Sequence, residues 1–443
     1  MLLVYIISIK SKIDQMYFEY KNNILNWYGV NLKNITRKVD ELLLKEYNYE
    51  GPYYLYSESL LNDRLSRFKN IFRKSKFYYS VKSLSNIYIL KRVKKFENFG
   101  LDVVSGAEIL RGLSAGFSGE EMVYAGVGKT SHEIELGLEH KLKSFHVESI
   151  SEVRQIERIS RKNGVVARIT ARLNPDIGVN THHYIKTGIE ESKFGILPEE
   201  MKQLYDIVTH SPYIELSGLQ VHLGSQIMSS APFFKALKFL QKNASIAEKE
   251  LKKEIEYLSL GGGFGINYKQ YMKGKPLKEF PLEEFAQKLN EINNSPWRID
   301  FEPGRFISAP SGVLVSNVLY IKQRQKTGIV ICNAGMSDLI RPALYSAFHP
   351  ILSMEIRSNK KRKYDIVGPI CESGDFFAKG IDLPVIDEGD KLIVGFAGAY
   401  GSVMGSNYNS RPFIPEILVS DNEIEVIRRP QSGTDIFQYE LNI

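Results

Sequence analysis

With 443 residues, 43% hydrophobic and 25% charged, the chain has the composition of an ordinary globular protein and the length for two or three domains. Its net charge of +7 is spread along the sequence, and the one short basic cluster, Lys360-Lys361-Arg362-Lys363, reads as a solvated hairpin tip, so nucleic acid is not an expected partner. Two cysteines, Cys332 and Cys371, exclude a disulfide scaffold and suit a reducing cytoplasm.

Residues 1–9 form an apolar run too short to span a bilayer, without the flanks of a secretory signal. Residues 1–15 read as a disordered arm or a misassigned start ahead of Met16, with a membrane anchor as the lesser alternative. Residues 16–50 read as an N-terminal segment shared with the C-terminal domain. From 51 to 310, short apolar runs alternate with amphipathic helical stretches. The runs are 77–81, 101–104, 122–124, 144–147, 165–173, 216–222, 257–260 and 298–301. Helices are expected over 86–99, 131–139, 149–162, 231–253 and 282–292. Eight strand–helix units predict an α/β fold, a (β/α)8 barrel of the TIM type. From 311 to 443 the texture changes to β-rich runs at 313–321, 328–332, 364–367, 391–395, 416–419 and 423–427, separated by Pro and Gly turns. This predicts a C-terminal all-β domain.

Such barrels carry their chemistry at the C-terminal ends of the strands. Lys82 follows the first run, Ser105-Gly106 the second and Asn174-Pro175 the fifth. His222-Leu223-Gly224-Ser225 closes the sixth, Gly261-Gly262-Gly263 follows the seventh, and Glu302-Pro303-Gly304-Arg305 the eighth. A buried carboxylate at Glu302 needs a cationic or protonated partner. The Lys82 amine suits a Schiff base with an aldehyde cofactor, or else it is a strand-end lysine reaching solvent. The Gly261 loop can form an anion-binding nest, and no Lys-Ser/Thr follows it as in a Walker loop. It gains weight from Gly304 and Arg305 on the adjacent strand, where barrels often bind phosphate. His222 could stack on a planar ring and Ser225 bond a phosphate; a structural histidine is the alternative. His182-His183 is the other histidine cluster, and its spacing offers no metal ligand set.

In the β-rich part, the turn containing Cys371-Glu372 offers a proton donor and a ligand for an ammonium group, or else a hairpin with one free cysteine. Arg341 and Tyr345, then Tyr400 and Arg411, lie in loops where arginine suits bidentate carboxylate binding.

Taken together, these motifs resemble the fold-type III pyridoxal-phosphate decarboxylases, in particular those acting on diaminopimelate. The resemblance runs from about Met16 to Arg411. It rests on Tyr79-Ser80-Val81-Lys82, Leu101-Asp102-Val103-Val104-Ser105-Gly106, Ser192-Lys193-Phe194-Gly195-Ile196, the His222, Gly261 and Glu302 segments, Gly335 through Tyr345, and the Cys371 and Tyr400 segments. It implies decarboxylation of meso-2,6-diaminopimelate to L-lysine. Lys82 would carry the cofactor, His222 would stack on its ring and Glu302 would pair with its ring nitrogen. Ser225, Gly261, Gly262, Gly263, Gly304, Arg305 and Tyr400 would hold its phosphate. Arg305, Arg341, Tyr345 and Tyr400 would bind substrate. Cys371, as proton donor, and Glu372 would enter a neighbouring subunit's site, which implies a head-to-tail homodimer.

The chain departs from the family pattern at Ser83-Leu84, where Ala-Asn usually follows the lysine, and at Asn333, where Asp is usual. A relative acting on ornithine, an acyl-carrier-bound amino acid or a siderophore intermediate would share the cofactor residues. A racemase of this fold would place an arginine by the ring nitrogen, and a non-catalytic cofactor carrier would lack the β domain.

Overall fold

A computed structural model of the chain describes residues 17–175, 193–271, 278–293, 295–420 and 423–441. The expected N-terminal arm, Met16, the His182-His183 pair and Ser192 lie outside the described residues. The chain divides into two units. One comprises the described residues of Asn62–Ile266 and Glu279–Ile307, the other those of Met1–Leu61, Asn267–Lys278 and Ser308–Ile443. No helix among the described residues is long and apolar enough to cross a membrane.

The first unit holds an eight-stranded parallel sheet in sequential order: β1 Phe77–Ser80, β2 Phe99–Val103, β3 Met122–Tyr124, β4 Ser144–Val147, β5 Ala167–Arg172, β6 Ile214–Gln220, β7 Tyr257–Ser259 and β8 Arg298–Asp300. Each strand falls within or beside an expected run. Strands of a parallel barrel are covered on both faces, which is why they read as nearly continuous apolar runs. The barrel closes where β1 meets the end of β8. Phe77 bridges Phe301 in parallel, Tyr78 N donates to Phe301 O at 2.8 Å, and Ser80 N donates to Pro303 O at 3.1 Å. First and last strands are thereby neighbours, so Lys82 and Glu302 follow adjacent strand ends.

An aromatic cluster packs this seam from outside. Phe301 lies 4.6 Å from Phe72 and 6.2 Å from Phe77 between ring centroids, and Phe264 lies 6.0 Å away. Phe306, just past the Glu302 turn, is covered by the guanidinium of the fully buried Arg64 at 4.8 Å, which is itself paired with Glu279. The turn that delivers Glu302 is therefore anchored by packing on both sides.

Short βα junctions start the helices by capping. Ser105 accepts from Glu108 N and Ser149 from Glu152 N. The first-turn carboxylates reach back to the strand ends, Glu108 accepting Val104 N at 2.8 Å and Glu152 accepting Glu148 N at 2.7 Å. Reciprocal satisfaction of this kind fixes each strand end relative to its helix. The expected helix at 86–99 stops at Lys94, because Phe99 is taken into β2. Gly106–Ser114 and Met201–His210 are further helices that the sequence pattern did not single out.

The second unit is β-rich. The long strand Gly312–Lys322 pairs antiparallel with Tyr53–Ser57, Gly328–Cys332 and Lys391–Val394. Tyr53–Ser57 also runs parallel to Glu416–Ser420, so a segment preceding the barrel in sequence lies mid-sheet here. The basic cluster at Lys360-Lys361-Arg362-Lys363 is not at a hairpin tip. It opens the strand Lys361–Val367, and the tip lies at the opposite end, at 368–375. Alternation along this strand leaves Lys361 and Lys363 exposed, which accounts for the charge without a turn.

Truncating the seam should cost far more than truncating an exposed helix residue. Phe301→Ala is expected to lower the unfolding free energy by about 3–5 kcal/mol, and Leu110→Ala, at an exposed position, by no more than about 0.5 kcal/mol, both read by urea denaturation.

Candidate active site

Lys82 sits in a single 3-10 turn, Val81–Ser83, immediately after β1, and its Nζ donates to Asp102 Oδ2 at 3.1 Å. Asp102 is the β2 residue in register with Ser80, whose Oγ donates to the same oxygen at 2.8 Å. Burial by itself would raise the Asp102 pKa. The Lys82 charge and the Ser80 hydrogen bond outweigh it and hold the carboxyl below its ordinary value.

Glu302, one residue past Phe301, is 3% exposed. Its Oε1 accepts from Ser259 Oγ on β7 at 2.6 Å, and its Oε2 from Gln220 Nε2 on β6 at 2.9 Å. Burial, reinforced by the charge on Asp102, pushes its pKa up to about 7 against those two hydrogen bonds. The donors therefore orient the carboxylate without neutralising it. A full neutralisation needs a proton or a cation.

His222 follows β6 and accepts a hydrogen bond on Nδ1 from Gly262 N at 3.3 Å. Burial, with Arg172 and Lys82 nearby, depresses its pKa to about 3, so the ring is neutral at neutral pH. The glycines beside it are required by backbone crowding. A Cβ on Gly262 would stand 2.3 Å from Glu302 O. Gly263 has φ +96° and its Cβ would meet Gly224 O at 2.3 Å. The result is a bare backbone cradle beside Glu302. Across it, Arg305 Nε and Nη2 donate to Ser225 Oγ, each at 3.3 Å. Ser83, at a departure from the family pattern, is buried and donates to Ser80 O at 2.8 Å, against Gly304. Its hydroxyl is thus satisfied within the turn that carries Lys82.

In the β-rich unit, Arg341 opens the short helix Arg341–Tyr345, is buried, and its Nη1 donates to Ala399 O at 3.5 Å. Tyr345 ends that helix half-exposed. The next residue after Ala399, Tyr400, has φ +56°, a conformation unusual for a tyrosine. Cys371 and Glu372 are exposed in the turn 368–375. Asp375 shapes that turn by accepting Ile370 N at 2.7 Å and Met336 N at 2.6 Å. Cys371 N donates to Asn409 Oδ1 at 2.8 Å. Asn333, the other departure, accepts from Ser316 Oγ and Asn317 N at 2.9 and 2.8 Å.

The described barrel therefore gathers Lys82, His222, Ser225, Gly261, Gly262, Gly263, Glu302, Gly304 and Arg305. The β-rich unit separately gathers Arg341 with Ala399-Tyr400, and the Cys371 turn with Met336 and Asn409. Sequence reasoning gave no role to Ser80, Asp102, His146, Gln220 or Ser259, although the barrel layer under Lys82 is made of them. Their signal was polarity at inward-facing positions of otherwise apolar strands.

A family model described as the pyridoxal-binding domain of pyridoxal-dependent decarboxylases matches residues 58–309. The chain belongs to the pyridoxal-dependent decarboxylase family. Within that family it is similar to the diaminopimelate decarboxylase of Aquifex aeolicus, with 35% identity covering 96% of this chain and 98% of that one. It is also similar to the diaminopimelate decarboxylase of Zymomonas mobilis, with 37% identity covering 93% and 98%. The crystal structure of diaminopimelate decarboxylase from Helicobacter pylori complexed with L-lysine superposes with a TM-score of 0.82 at 37% identity, covering 90% of this chain and 98% of that one. The decarboxylase family uses pyridoxal phosphate, and the barrel site fits it. The glycine cradle is open only because it lacks side chains, Lys82 supplies a primary amine, and Glu302 is a buried acceptor awaiting a proton.

The raised Glu302 pKa makes a linkage prediction for the chain without cofactor. Unfolded, the carboxyl ionises near its ordinary 4.5; folded, it holds its proton to about 7. Between those values the unfolded chain loses its proton first, so folding is progressively disfavoured as pH rises. Glu302→Gln should therefore gain stability over the parent by on the order of 1–3 kcal/mol between about pH 5 and about pH 8, measured by urea denaturation across pH.

Proposed function

We propose that the chain decarboxylates meso-2,6-diaminopimelate to L-lysine and CO2, the last step of lysine biosynthesis. The carrying observation is Glu302, a buried carboxylate oriented by Ser259 and Gln220 at the end of the strand next to Lys82. Bound pyridoxal phosphate supplies an electron sink for the electron pair left at Cα when CO2 departs. Glu302 favours the protonated form of the cofactor's ring nitrogen, because an adjacent anion stabilises the charged form of a base. Lys82 holds the cofactor covalently, and Asp102 keeps the lysine placed when it is free. Neutral His222 offers an uncharged face for a planar ring, its orientation set by Gly262 N. Ser225, the amides of Gly261 to Gly263, Gly304, Arg305 and Tyr400 hold the phosphate.

Substrate binding falls to Arg305, Arg341, Tyr345 and Tyr400, with Glu372 taking the distal ammonium. Cys371 returns a proton to Cα. The Cys371-Glu372 turn serves the neighbouring subunit in a head-to-tail homodimer. An exposed turn held by Asp375 and Asn409 suits insertion into a partner. Two free cysteines accord with a cytoplasmic setting.

The direct test is CO2 release from purified protein given pyridoxal phosphate and a panel of amino acids. Diaminopimelate should be turned over with ornithine and arginine at least roughly hundredfold poorer, the discrimination expected when charged groups at a substrate's far end must be paired. Efficient turnover of ornithine alone would overturn the substrate assignment. Lys82→Ala should abolish both activity and the absorbance band of the lysine-bound cofactor. Sharing of sites is tested by mixing two inactive variants, Lys82→Ala and Cys371→Ala. Mixed dimers should recover activity, and a mixture as dead as its parents would place Cys371 in its own subunit's site.

A further inference from the structure

Three titratable side chains share the layer beneath Lys82, and the reading above uses two of them. The third is His146 on β4. Its ring is 1% exposed, and neither nitrogen has a hydrogen-bond partner among the described residues. An imidazole stripped of water and left unbonded is unfavourable, and an apolar side chain would fill such a position without that penalty. Its backbone is well held, since Lys129 Nζ donates to His146 O at 2.7 Å, so the ring is not there by slack packing.

What His146 faces explains its chemistry. Its Nδ1 lies 3.7 Å from Glu302 Oε1. That is outside hydrogen-bond length but within reach of a small ring rotation. Asp102, whose Oδ1 is also buried without a hydrogen-bond partner among the described residues, acts on both groups through its charge. We propose that His146 is a positioning residue for Glu302, lending its single N–H to the carboxylate as a neutral donor and so holding Glu302 ionised where the cofactor's ring nitrogen is received.

The donor is neutral because burial, helped by the charges of Lys129, Arg172 and Lys82, depresses the His146 pKa to about 3 even though Asp102 opposes them. A cationic imidazole would compete with a protonated ring nitrogen for Glu302; a neutral one assists without competing. The other titratable groups acting with Glu302 are Asp102 on β2, Lys82 after β1, and the phenols of Tyr78 on β1 and Tyr257 on β7. Both phenols are raised by burial and stay protonated at neutral pH, so they do not titrate in the relevant window.

The proposal rests on the assignment of Glu302 to the ring nitrogen, but its first test does not involve the cofactor. The carboxyl stretch of Glu302 is followed by infrared spectroscopy across pH in the full chain stripped of pyridoxal phosphate, with Glu302→Gln identifying the band. The parent midpoint is expected below about 7, the value Glu302 reaches with no hydrogen bond from His146. His146→Phe should raise the midpoint by about one pH unit and weaken pyridoxal-phosphate binding roughly tenfold. His146→Asn retains a side-chain N–H and should restore most of both. Should the Phe variant not fold, His146→Leu replaces it and the Asn-versus-Leu difference carries the test. An unchanged midpoint overturns the proposal. So does an equal loss of cofactor affinity when His146→Phe is made in a Glu302→Gln background, since His146 would then act independently of Glu302. A normal midpoint shift in a protein that decarboxylates nothing would sink the functional assignment and leave this one standing.

Discussion

Two carboxylates buried in one layer of a barrel cannot both be charged without cations to answer them, and the site is organised around that constraint. Taking an ion out of water costs several kcal/mol even after relaxation. Asp102 is answered by Lys82 at 3.1 Å. Glu302 has two neutral donors, Ser259 and Gln220, and feels the charge of Asp102. The protein alone therefore leaves the second carboxylate poised near neutrality. A ligand carrying its own protonated nitrogen into that layer would complete the balance, and one engaging the Lys82 amine would be held beside it.

Barrel closure makes this arrangement possible. Residues more than two hundred positions apart meet because β1 and β8 pair through Phe77 and Phe301. The aromatic packing behind Phe301, and the Arg64 guanidinium over Phe306, fix the Glu302 turn from outside. Inside, the glycines at 261–263 let the seventh loop lie against the Glu302 backbone, with Glu302 N donating to Gly261 O at 2.9 Å. Stability of the seam and geometry of the site are thus one property, and a mutation that loosens the first will blur the second.

Much of this was legible in the sequence because the signals were local. The eight apolar runs appear as eight strands, and the residues at their ends, from Lys82 to Arg305, assemble at one end of the barrel. Polar residues inside the strands were harder to read. Asp102, His146, Gln220 and Ser259 look like scattered polar interruptions until the pleat turns all of them inward. The basic cluster at residue 360 reads as a tip because charge density signals solvent exposure, but an edge hairpin is exposed along its length. Tyr53–Ser57 carries no local sign that its partners are Gly312–Lys322 and Glu416–Ser420, since long-range pairing leaves no mark in a single strand. Gly106–Ser114, capped by Ser105, and Met201–His210, which has no side-chain cap, are too short for periodicity alone to mark them.

The proposed site turns on Glu302 keeping the cofactor's ring nitrogen protonated. Nitrogen-15 NMR of the protein loaded with ring-labelled pyridoxal phosphate reads that proton directly. A protonated ring nitrogen is expected in the parent near neutral pH, and its loss in Glu302→Gln. An unprotonated nitrogen in the parent, or a protonated one that survives the substitution, would contradict it.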